Sequence, residues 1–433
     1  MEHPTFEKLR DLREKYPGGE LAQNYALTRQ IPRRFRMGTG RLNKGDYDKM
    51  CREAFALDAA IVVARHLLAA VADRYRQIKS GSPLARMIWA DLEDTDSFQQ
   101  QQSARMAILE SFREKRKGEQ ISFYSVMESQ EMLDTLWCLP AFQLWHPTVM
   151  AKKEGTKKWE KTEVEDPALL TRKALINYSG AGDLGAHISD SFGMFLDGNI
   201  VQHWKSNEPV VIRVFHSNNA QAEEPKTWKD LREIWVKSHR LRDVEDETGR
   251  ATRRYDKTGG PPKRYILLAT VRLGAWKEEN DRVRLYGADG EYVHLPKDTI
   301  NYAGIEWTLG TVGDRYLLYY RLATLPPAVG GSGSEFVVRP PALGKKHAMM
   351  VAAVTMKSRG QEQSETDRRR DPVPTRPISR PSDPSTSNVG LPLAARITMP
   401  QARSHTNPRS ESQGEQDWGG RSHGRNRRGG HRG

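Results

Sequence analysis

Cysteine offers the most reactive side chain here, and the chain has two, Cys51 and Cys138. Neither belongs to a Cys–His cluster with the spacing of zinc ligands, and two cysteines are too few for a disulfide framework. Cys51 follows a polar, glycine-containing lead-in and opens a long apolar run. That position predicts a thiol at the amino end of a helix, where the helix dipole favours a thiolate. Asp46, Asp48 and Glu53 are close in sequence and oppose this effect.

Cys138 falls at the close of another helical stretch, which the sequence SVMESQEMLDTLW predicts and Pro140 ends. A free cysteine near a helix end most often packs in the core. We therefore expect Cys138 to be a buried packing residue.

Three glycines, Gly180, Gly182 and Gly185, fit the G-x-G-x-x-G pattern of dinucleotide-binding loops. That function also requires a preceding strand, a following helix and an acidic residue about 20 residues further on. The segment 174–178 is a weak strand, and no helix clearly follows the glycines. An ordinary glycine-rich loop is the better interpretation, and no cofactor or metal site is expected.

The element that would hold Cys51 in place is the apolar run over residues 54–72. Only Asp58, Arg65 and His66 interrupt it with strongly polar side chains, and it contains neither Gly nor Pro. A helix that is apolar on nearly every side is enclosed by other elements. Its three polar residues make it unsuited to a bilayer core. The sequence therefore predicts a central helix of a folded domain and no membrane segment.

From residue 209 onward the pattern changes to strands. The expected strands cover residues 209–215, 265–273, 282–286, 292–295 and 315–322. Asp289-Gly290 gives a two-residue hairpin signal, and the last strand is expected to close the sheet. Because helices come first and strands follow, the sequence favours an α+β arrangement over alternating βαβ units.

Charge and composition set the last part of the chain apart. The net charge of the 433 residues is +13, and residues 357–433 carry 15 Lys or Arg against 8 Asp or Glu. No aromatic residue occurs between Phe336 and Trp418, and such a composition buries too little apolar surface to offset the entropy of ordering. We predict an N-terminal arm over 1–38, a folded domain over 39–325 and a disordered basic tail over 326–433.

The tail ends in an arginine–glycine segment that contains Arg421, Arg425, Arg427, Arg428 and Arg432. Arginine pairs with phosphate and stacks on bases, while glycine lets the backbone follow a nucleic-acid strand. The segment therefore suggests RNA binding or association with condensates. A solubilising tail with weak, nonspecific affinity for nucleic acid is the more ordinary interpretation.

The amino-terminal residues lack the apolar region of a secretory signal. Two cysteines without a disulfide framework fit a reducing compartment. We expect an intracellular protein, in the cytoplasm or the nucleus.

Several blocks of sequence along residues 40–322 can be compared, in their order, with those of a known protein family. Gly40, Leu42, Asn43 and Gly45 lead to Cys51 through the extra residues DYDKM, and the acidic helix SVMESQEMLDTLW comes next. The strands PVVIRVF, YILLATVRLGAW and DRYLLYYRL complete the series. Over residues 40–322 these blocks resemble the ubiquitin-specific proteases, in particular fungal proteins described as ubiquitin carboxyl-terminal hydrolases. The late strands carry the best match.

The resemblance implies a papain-like fold, with a helical half packed on a C-terminal antiparallel sheet and Cys51 as the nucleophile. In the family the general base is a histidine in a Gly-His-Tyr motif after the Tyr-x-Leu-x-Ala-Val strand. Residues 279–283 of this chain stand there and contain no histidine. His294, the only histidine among the late strands, is a weak candidate base, and the predicted hairpin places it opposite Leu285.

We therefore expect a ubiquitin-protease-like protein that has lost or weakened its peptidase activity and acts by binding protein partners, with ubiquitin as the partner the resemblance implies. Losing the histidine and clear oxyanion donors removes several kcal/mol of transition-state stabilisation. One alternative is an active deubiquitinase that uses Cys51 with His294. The other is an RNA-binding protein that acts through its arginine–glycine tail.

Overall fold

The structure is a computed structural model, and it describes residues 6, 8–33, 43–72, 81–117, 119–164, 166–218, 225–237, 241–245, 251–255, 261–274, 279–296, 299, 301–304, 306–324 and 335–336. Most of the predicted basic tail, including its five terminal arginines, lies outside the described residues. The predicted disorder and RNA binding of that tail therefore stay predictions.

Helices dominate the first half of the described chain. They are α1 (Leu12–Lys15), α2 (Glu20–Arg29), α3 (Lys44–Ala69), α4 (Pro83–Trp89), α5 (Phe98–Arg116), α6 (Phe123–Met127), α7 (Gln130–Met132), α8 (Pro167–Lys173), α9 (Leu184–Ser189) and α10 (Trp228–Leu231). A π-helical turn over Leu133–Trp137 and a 3₁₀ turn over Pro140–Phe142 continue α7. None of the helices in the described part of the chain has a stretch both long and apolar enough to cross a bilayer.

The central helix α3 is enclosed, as its apolar sequence predicts. Every residue from Glu53 to Leu68 except Phe55 is buried. Helices α2, α4, α5 and α6 contact α3, and strand β11 of the main sheet (Arg282–Tyr286) contacts it too. The arm predicted over 1–38 contributes to this packing, because Leu12, Ala26 and Leu27 are buried in the same core.

The polar residues of α3 are buried with their partners. Asp58 accepts hydrogen bonds of 2.8 and 2.9 Å from Arg105. Arg65 donates to three main-chain carbonyl oxygens at 2.7–3.1 Å. His66 Nε2 lies 2.8 Å from the carbonyl oxygen of Tyr286 and donates to it. Burying a polar or charged group without a partner is costly, so these contacts let a helix with three strongly polar residues be enclosed.

The strands follow mainly in the second half. They are β1 (Thr148–Lys153), β2 (Glu160–Glu163), β3 (Leu175–Tyr178), β4 (Gly193–Asp197), β5 (Ile200–Trp204), β6 (Val211–Ser217), β7 (Glu233–Val236), β8 (Leu241–Glu245), β9 (Ala251–Tyr255), β10 (Lys263–Leu273), β11 (Arg282–Tyr286), β12 (Tyr292–Val293) and β13 (Arg315–Leu322). The main sheet has the order β12-β11-β10-β13-β6-β3, and β7 also pairs with β10. All its pairs are antiparallel except β3 with β6. A second sheet has the order β2-β1-β5-β4, and β8 pairs with β9.

The main sheet buries both of its faces. Successive side chains of a strand point to opposite faces, and on β13 Leu317 joins the core around α3 while Leu318 joins a second core on the other side. A β-bulge between Leu267 and Ala269 of β10 reverses which side chains point to each face. Leu267 therefore joins the second core, whereas Ala269 joins the core around α3. One face therefore carries the helical half, and the other carries a smaller core that includes α9, α10 and β7.

The α+β prediction is confirmed as a helical N-terminal half followed by a mixed arrangement dominated by strands. The predicted strands over 282–286 and 315–322 coincide with β11 and β13. The prediction that the last strand closes the sheet is wrong, because β13 lies between β10 and β6. Its sequence RYLLYYRL is apolar on both faces, which suits a central strand.

The second sheet was not expected from the sequence. The segment 152–161 is highly charged, and it contains the end of β1 and the start of β2. These strands leave many of their residues exposed or half-exposed, so the sequence lacks the apolar alternation that reveals a strand. The charged stretch over 240–263 likewise contains β8 and β9.

Two residues of the predicted tail pack on the folded body. Glu335 forms an ion pair with Arg284 at 2.5 Å and accepts a hydrogen bond from the main-chain N–H of Leu309 at 2.9 Å. The Arg284 guanidinium lies 3.7 Å from the ring centroid of Trp307 and 4.7 Å from that of Phe336. Because the Arg284 side chain has no exposed surface, Glu335 neutralises a fully buried cation.

We predict that Glu335→Ala lowers the free energy of unfolding by about 3 to 5 kcal/mol, because it leaves the buried Arg284 without its carboxylate. Urea denaturation followed by linear extrapolation measures this change. Glu160→Ala is the matched control, since the Glu160 and Lys158 side chains are both largely exposed and such pairs contribute little. Equal stability of the two variants would contradict the prediction.

We also predict a pH effect that depends on His66. Burial lowers the pKa of His66 to about 4, despite its hydrogen bond to Tyr286. The unfolded chain binds the proton near pH 6.5, so the stability of the wild type is complete above pH 6.5 and falls as the pH drops toward 4. Relative to His66→Gln, the wild type should lose about 3 kcal/mol over that interval. Urea unfolding of both proteins at pH 7 and pH 4 tests this, and parallel pH profiles would contradict it.

Candidate functional site

Cys51 does not open the central helix, and that prediction is wrong. The N-cap residue is Asn43, whose Oδ1 accepts from the Asp46 N–H at 2.9 Å, and the helix begins at Lys44. The signal that identifies this start is an N-cap asparagine with an acidic residue three positions later. The helix dipole acts chiefly in the first turn, and main-chain N–H groups within a helix are already bonded. Cys51 therefore has neither dipole support nor oxyanion donors from its own helix.

A cleft of about 230 Å³ lies between α3 and the edge of the main sheet where β10 ends and β11 approaches. We call it the helix–sheet cleft. The residues that line it are Arg52, Ala56, Gln120, Ile121, Ser122, Gly274, Glu279, Asn280, Asp281 and Arg315. The stretch that the resemblance assigns to the general base, 279–283, thus provides three of its lining residues.

The helix turns Arg52, and not Cys51, toward this cleft. Arg52 and Ala56 are four residues apart and share one face of α3, and both line the cleft. Cys51 precedes Arg52 by one residue, so its side chain leaves the helix about 100° away. Cys51 is half-buried and does not line the cleft.

The carboxylates of the cleft are engaged within the protein. Glu279 forms an ion pair with Arg272 at 2.6 Å, and Arg272 also pairs with Asp314 at 2.6 Å. Asp281 accepts from the main-chain N–H of Phe123 at 2.7 Å and from that of Gly274 at 2.9 Å. Asp281 therefore joins the start of α6 to the end of β10. These contacts give both carboxylates structural roles.

Burial raises the pKa of Asp281, while its two main-chain hydrogen bonds and the positive charge of Arg315 act in the opposite direction. Two N–H donors that converge on one carboxylate hold it in a fixed position. A general base must reach the proton of its nucleophile, and both oxygens of Asp281 already accept hydrogen bonds from the main chain.

Arg52 differs from the two carboxylates of the cleft, which the protein itself engages. It is half-exposed, and its Nε is buried without a hydrogen-bond acceptor. Within the described part of the chain, no carboxylate lies within ion-pair distance of Arg52. The sequence prediction overlooked this residue because the resemblance drew attention to the neighbouring cysteine. No local pattern distinguishes it from Arg65, which also stands four residues before an alanine on this helix.

His294 lies on the face of the main sheet away from α3. Val293 and Leu295 pack against the core around α3, whereas Tyr292 packs against the second core. The His294 ring contacts the Tyr292 ring, with centroids 4.8 Å apart, as expected for residues two apart on one face. Burial lowers the pKa of His294. The structure therefore does not bring Cys51 and His294 together.

The register of this hairpin also differs from the prediction. Val293, not His294, pairs with Leu285. The N–H of Gly287 donates to the carbonyl of Glu291 at 2.8 Å, so the turn has three residues instead of two. Gly290 supplies the positive φ of 82° that such a turn requires.

The glycine-rich segment does precede a helix, contrary to the sequence prediction. Strand β3 leads through Gly180 and Gly182 into the short helix α9, and a Cβ at Gly185 would lie 2.4 Å from the carbonyl oxygen of Trp235. The third glycine thus permits close packing of a helix on a strand. Asp183 accepts from the Ala186 N–H at 2.7 Å and caps α9, so a carboxylate occupies the place that a phosphate would take.

Cys138 is exposed, and the prediction that it packs in the core is wrong. It follows the π-helical turn, and its thiol donates to the carbonyl oxygen of Asp134 at 3.0 Å. The extra residue that a π-helical turn accommodates changes which side chains face inward. Cys138 consequently lines a second cavity, separate from the helix–sheet cleft.

Sequence comparison with models of known protein families finds no match, and neither does comparison with curated proteins. Membership of the ubiquitin-specific proteases therefore stays a prediction from the motifs quoted above, as does the papain-like fold. Among the described residues, no group of three or more His, Cys, Asp or Glu side chains is placed to hold a metal ion.

We predict that Asp281→Asn lowers the free energy of unfolding by about 1 to 3 kcal/mol. An asparagine offers one acceptor oxygen and one donor nitrogen, so one of the N–H groups of Phe123 and Gly274 loses its acceptor. Thermal or urea unfolding measures the change. Asp96→Asn is the control, because Asp96 is exposed and surface substitutions usually change stability by less than about 0.5 kcal/mol. If the Asp281→Asn protein is as stable as the control, the two hydrogen bonds of the Asp281 carboxylate to Phe123 and Gly274 do not stabilise the fold.

Proposed function

We propose that this chain is a ubiquitin-protease-like protein that binds a protein partner in the helix–sheet cleft without cleaving it. The observation that carries the proposal is the identity of the cleft residues. Arg52 faces the cleft in place of the neighbouring Cys51, and Glu279, Asn280 and Asp281 stand where the resemblance calls for a histidine.

Among the described residues, the predicted pair Cys51 and His294 is not arranged for thiol catalysis. A cysteine nucleophile needs a base within hydrogen-bond reach and donors aimed at the developing oxyanion. Cys51 lies inside α3, its neighbouring main-chain groups belong to the helix, and His294 is on the far face of the main sheet. The alternative of an active deubiquitinase that pairs these two residues would require them to meet across that sheet.

Binding has direct support from the charges in the cleft. Glu279 and Asp281 are neutralised or hydrogen-bonded by the protein itself, whereas no described carboxylate lies within ion-pair distance of the Arg52 guanidinium. A guanidinium binds a carboxylate through two parallel hydrogen bonds, which makes arginine the usual residue for that group. We infer that Arg52 binds the terminal carboxylate of a polypeptide that enters the cleft.

Ubiquitin is the partner that the resemblance implies, and a free carboxyl terminus is the part of it that the cleft would hold. A domain that binds ubiquitin without cleaving it can hold a ubiquitin whose carboxyl terminus is free, because no bond at that terminus has to be broken. The cleft volume of about 230 Å³ suits a narrow chain end better than a large folded surface, so further contacts of the partner would lie outside the cleft.

We predict that free ubiquitin binds the full chain and that Arg52→Met weakens binding at least tenfold. A hydrogen bond to a charged group contributes about 1.5 to 3 kcal/mol, which corresponds to roughly a 10- to 100-fold change. Titration calorimetry or NMR titration measures the affinity. Ubiquitin with an amidated carboxyl terminus should bind the wild type as weakly as unmodified ubiquitin binds Arg52→Met.

Arg232→Met is the matched control, because Arg232 is exposed beside the second core and does not line the cleft. It should bind as the wild type does. Absence of binding by the wild-type protein would refute ubiquitin as the partner. Ubiquitin with a carboxyl-terminal electrophile tests catalysis separately: covalent labelling of the wild type that disappears in Cys51→Ala would establish an active thiol and overturn the noncatalytic proposal.

A further inference from the structure

A second cavity, of about 480 Å³, lies where the π-helical turn, the segment 143–147 and α8 meet. Most of its wall is apolar and comes from Leu133, Pro140, Trp145, Pro147, Ala168 and Leu170. Sites for small molecules typically enclose about 300–1,000 Å³, with apolar walls and a few polar groups. The size and the lining of this cavity both fall within that description.

Gln143 lines the cavity and keeps an acceptor that the described residues do not use. Its Nε2 donates to the carbonyl oxygen of Trp137 at 2.7 Å and to Thr171 Oγ1 at 2.8 Å. Both amide hydrogens are thereby used, and the orientation of the side chain is fixed. Its Oε1 accepts from none of the described residues, so an acceptor remains for a ligand.

His146 also lines the cavity, and its ring has a donor nitrogen that the described residues do not use. Its Nδ1 accepts from the main-chain N–H of Thr148 at 3.1 Å, so the neutral ring carries its hydrogen on Nε2. Burial lowers the pKa of His146, and the positive charges of Lys205 and Lys161 lower it further. The imidazole is therefore neutral at pH 7, and no described residue accepts from its Nε2–H.

The charges around the cavity argue against an ionic ligand. None of the described residues that line it is a lysine or an arginine. The one carboxylate in the lining belongs to Asp134, which is exposed and accepts from Gln130 Nε2 at 2.7 Å. An anion would have no positively charged side chain to pair with in the cavity. A cation would have only Asp134, whose exposed carboxylate is solvated by water and would therefore add little to its affinity.

We propose that this cavity binds a small, uncharged molecule with a largely apolar body, which accepts a hydrogen bond from His146 Nε2 and donates one to Gln143 Oε1. The site is independent of the helix–sheet cleft and of its partner. Cys138 lines the cavity and its thiol is exposed. The rate at which this thiol reacts with an alkylating reagent should therefore fall when the cavity is occupied.

Three probes of nearly the same shape test the ligand class: benzamide is uncharged, benzoate is an anion and benzamidine is a cation. The protein is the full chain with Cys51→Ser, so that Cys138 is its only thiol. The rate of alkylation by iodoacetamide is measured by mass spectrometry with and without each probe at roughly 20 mM, since fragments of this size bind weakly. We expect benzamide to slow alkylation at least twofold and the two ions to have no such effect.

Two further variants assign the effect to the cavity. Ala168 is half-exposed at the wall, so Ala168→Trp should fill the space and abolish protection by benzamide. His146→Phe keeps a ring of similar size but removes the donor, so benzamide should slow its alkylation measurably less than it slows alkylation of the parent protein. Circular dichroism checks that both variants are folded.

Failure of benzamide to slow alkylation of Cys138 would overturn the site. Stronger protection by benzamidine or benzoate than by benzamide would overturn the uncharged class. If Ala168→Trp does not fold, His146→Phe decides alone, and unchanged protection in His146→Phe would refute the proposed hydrogen bond.

Discussion

The constraint on which this structure depends is the need to provide partners for the polar groups of an enclosed helix. Asp58, Arg65 and His66 lie on α3 among residues that exclude water, and each requires a counter-charge or a hydrogen bond there. Arg105 on α5 pairs with Asp58, main-chain carbonyl oxygens accept from Arg65, and the Tyr286 carbonyl on β11 accepts from His66. These contacts fix the position of α3 against the other helices and against the main sheet. A helix of aliphatic residues alone could slide or rotate at little cost, whereas directional bonds at three positions select one arrangement.

Because α3 is held in this way, its rotation decides the chemistry of the helix–sheet cleft. Residues on one face of a helix recur at intervals of three or four, so the face that presents Ala56 to the cleft also presents Arg52. The residues DYDKM lie within α3 ahead of Cys51 and place it beyond the first turn. The thiol therefore lies away from the dipole and the free N–H groups of the helix start. Arg52 on one wall of the cleft and Glu279 and Asp281 on the other are charged side chains, and none of the described residues that line the cleft is a histidine.

The sequence predicted those parts of the fold whose apolar pattern is long or regular. The enclosed helix and the strands β11 and β13 follow from such patterns, and they were found at or near the expected positions. Parts that depend on few local signals were missed: the second sheet has largely exposed strands, and the start of α3 rests on one N-cap asparagine. The exposure of Cys138 depends on a π-helical turn, and the spacing of apolar residues in the sequence does not predict such a turn. For the candidate site, the sequence identified the segment 279–281 and the vicinity of Cys51, but the side chain that faces the cleft is set by helix rotation, which tertiary contacts determine.

The role of Arg52 can be argued from the other arginines of the body. Arg105, Arg213 and Arg284 are buried with carboxylates of Asp58, Glu128 and Glu335, and Arg65 has main-chain carbonyl oxygens. Each of these arginines offsets the cost of its desolvation within the protein. Arg52 is half-exposed, and no described carboxylate lies within ion-pair distance of it. The proposed function gives this cation an anion from outside the chain, namely the carboxyl terminus of a bound polypeptide, whose narrow shape suits an opening between a helix and the end of a sheet.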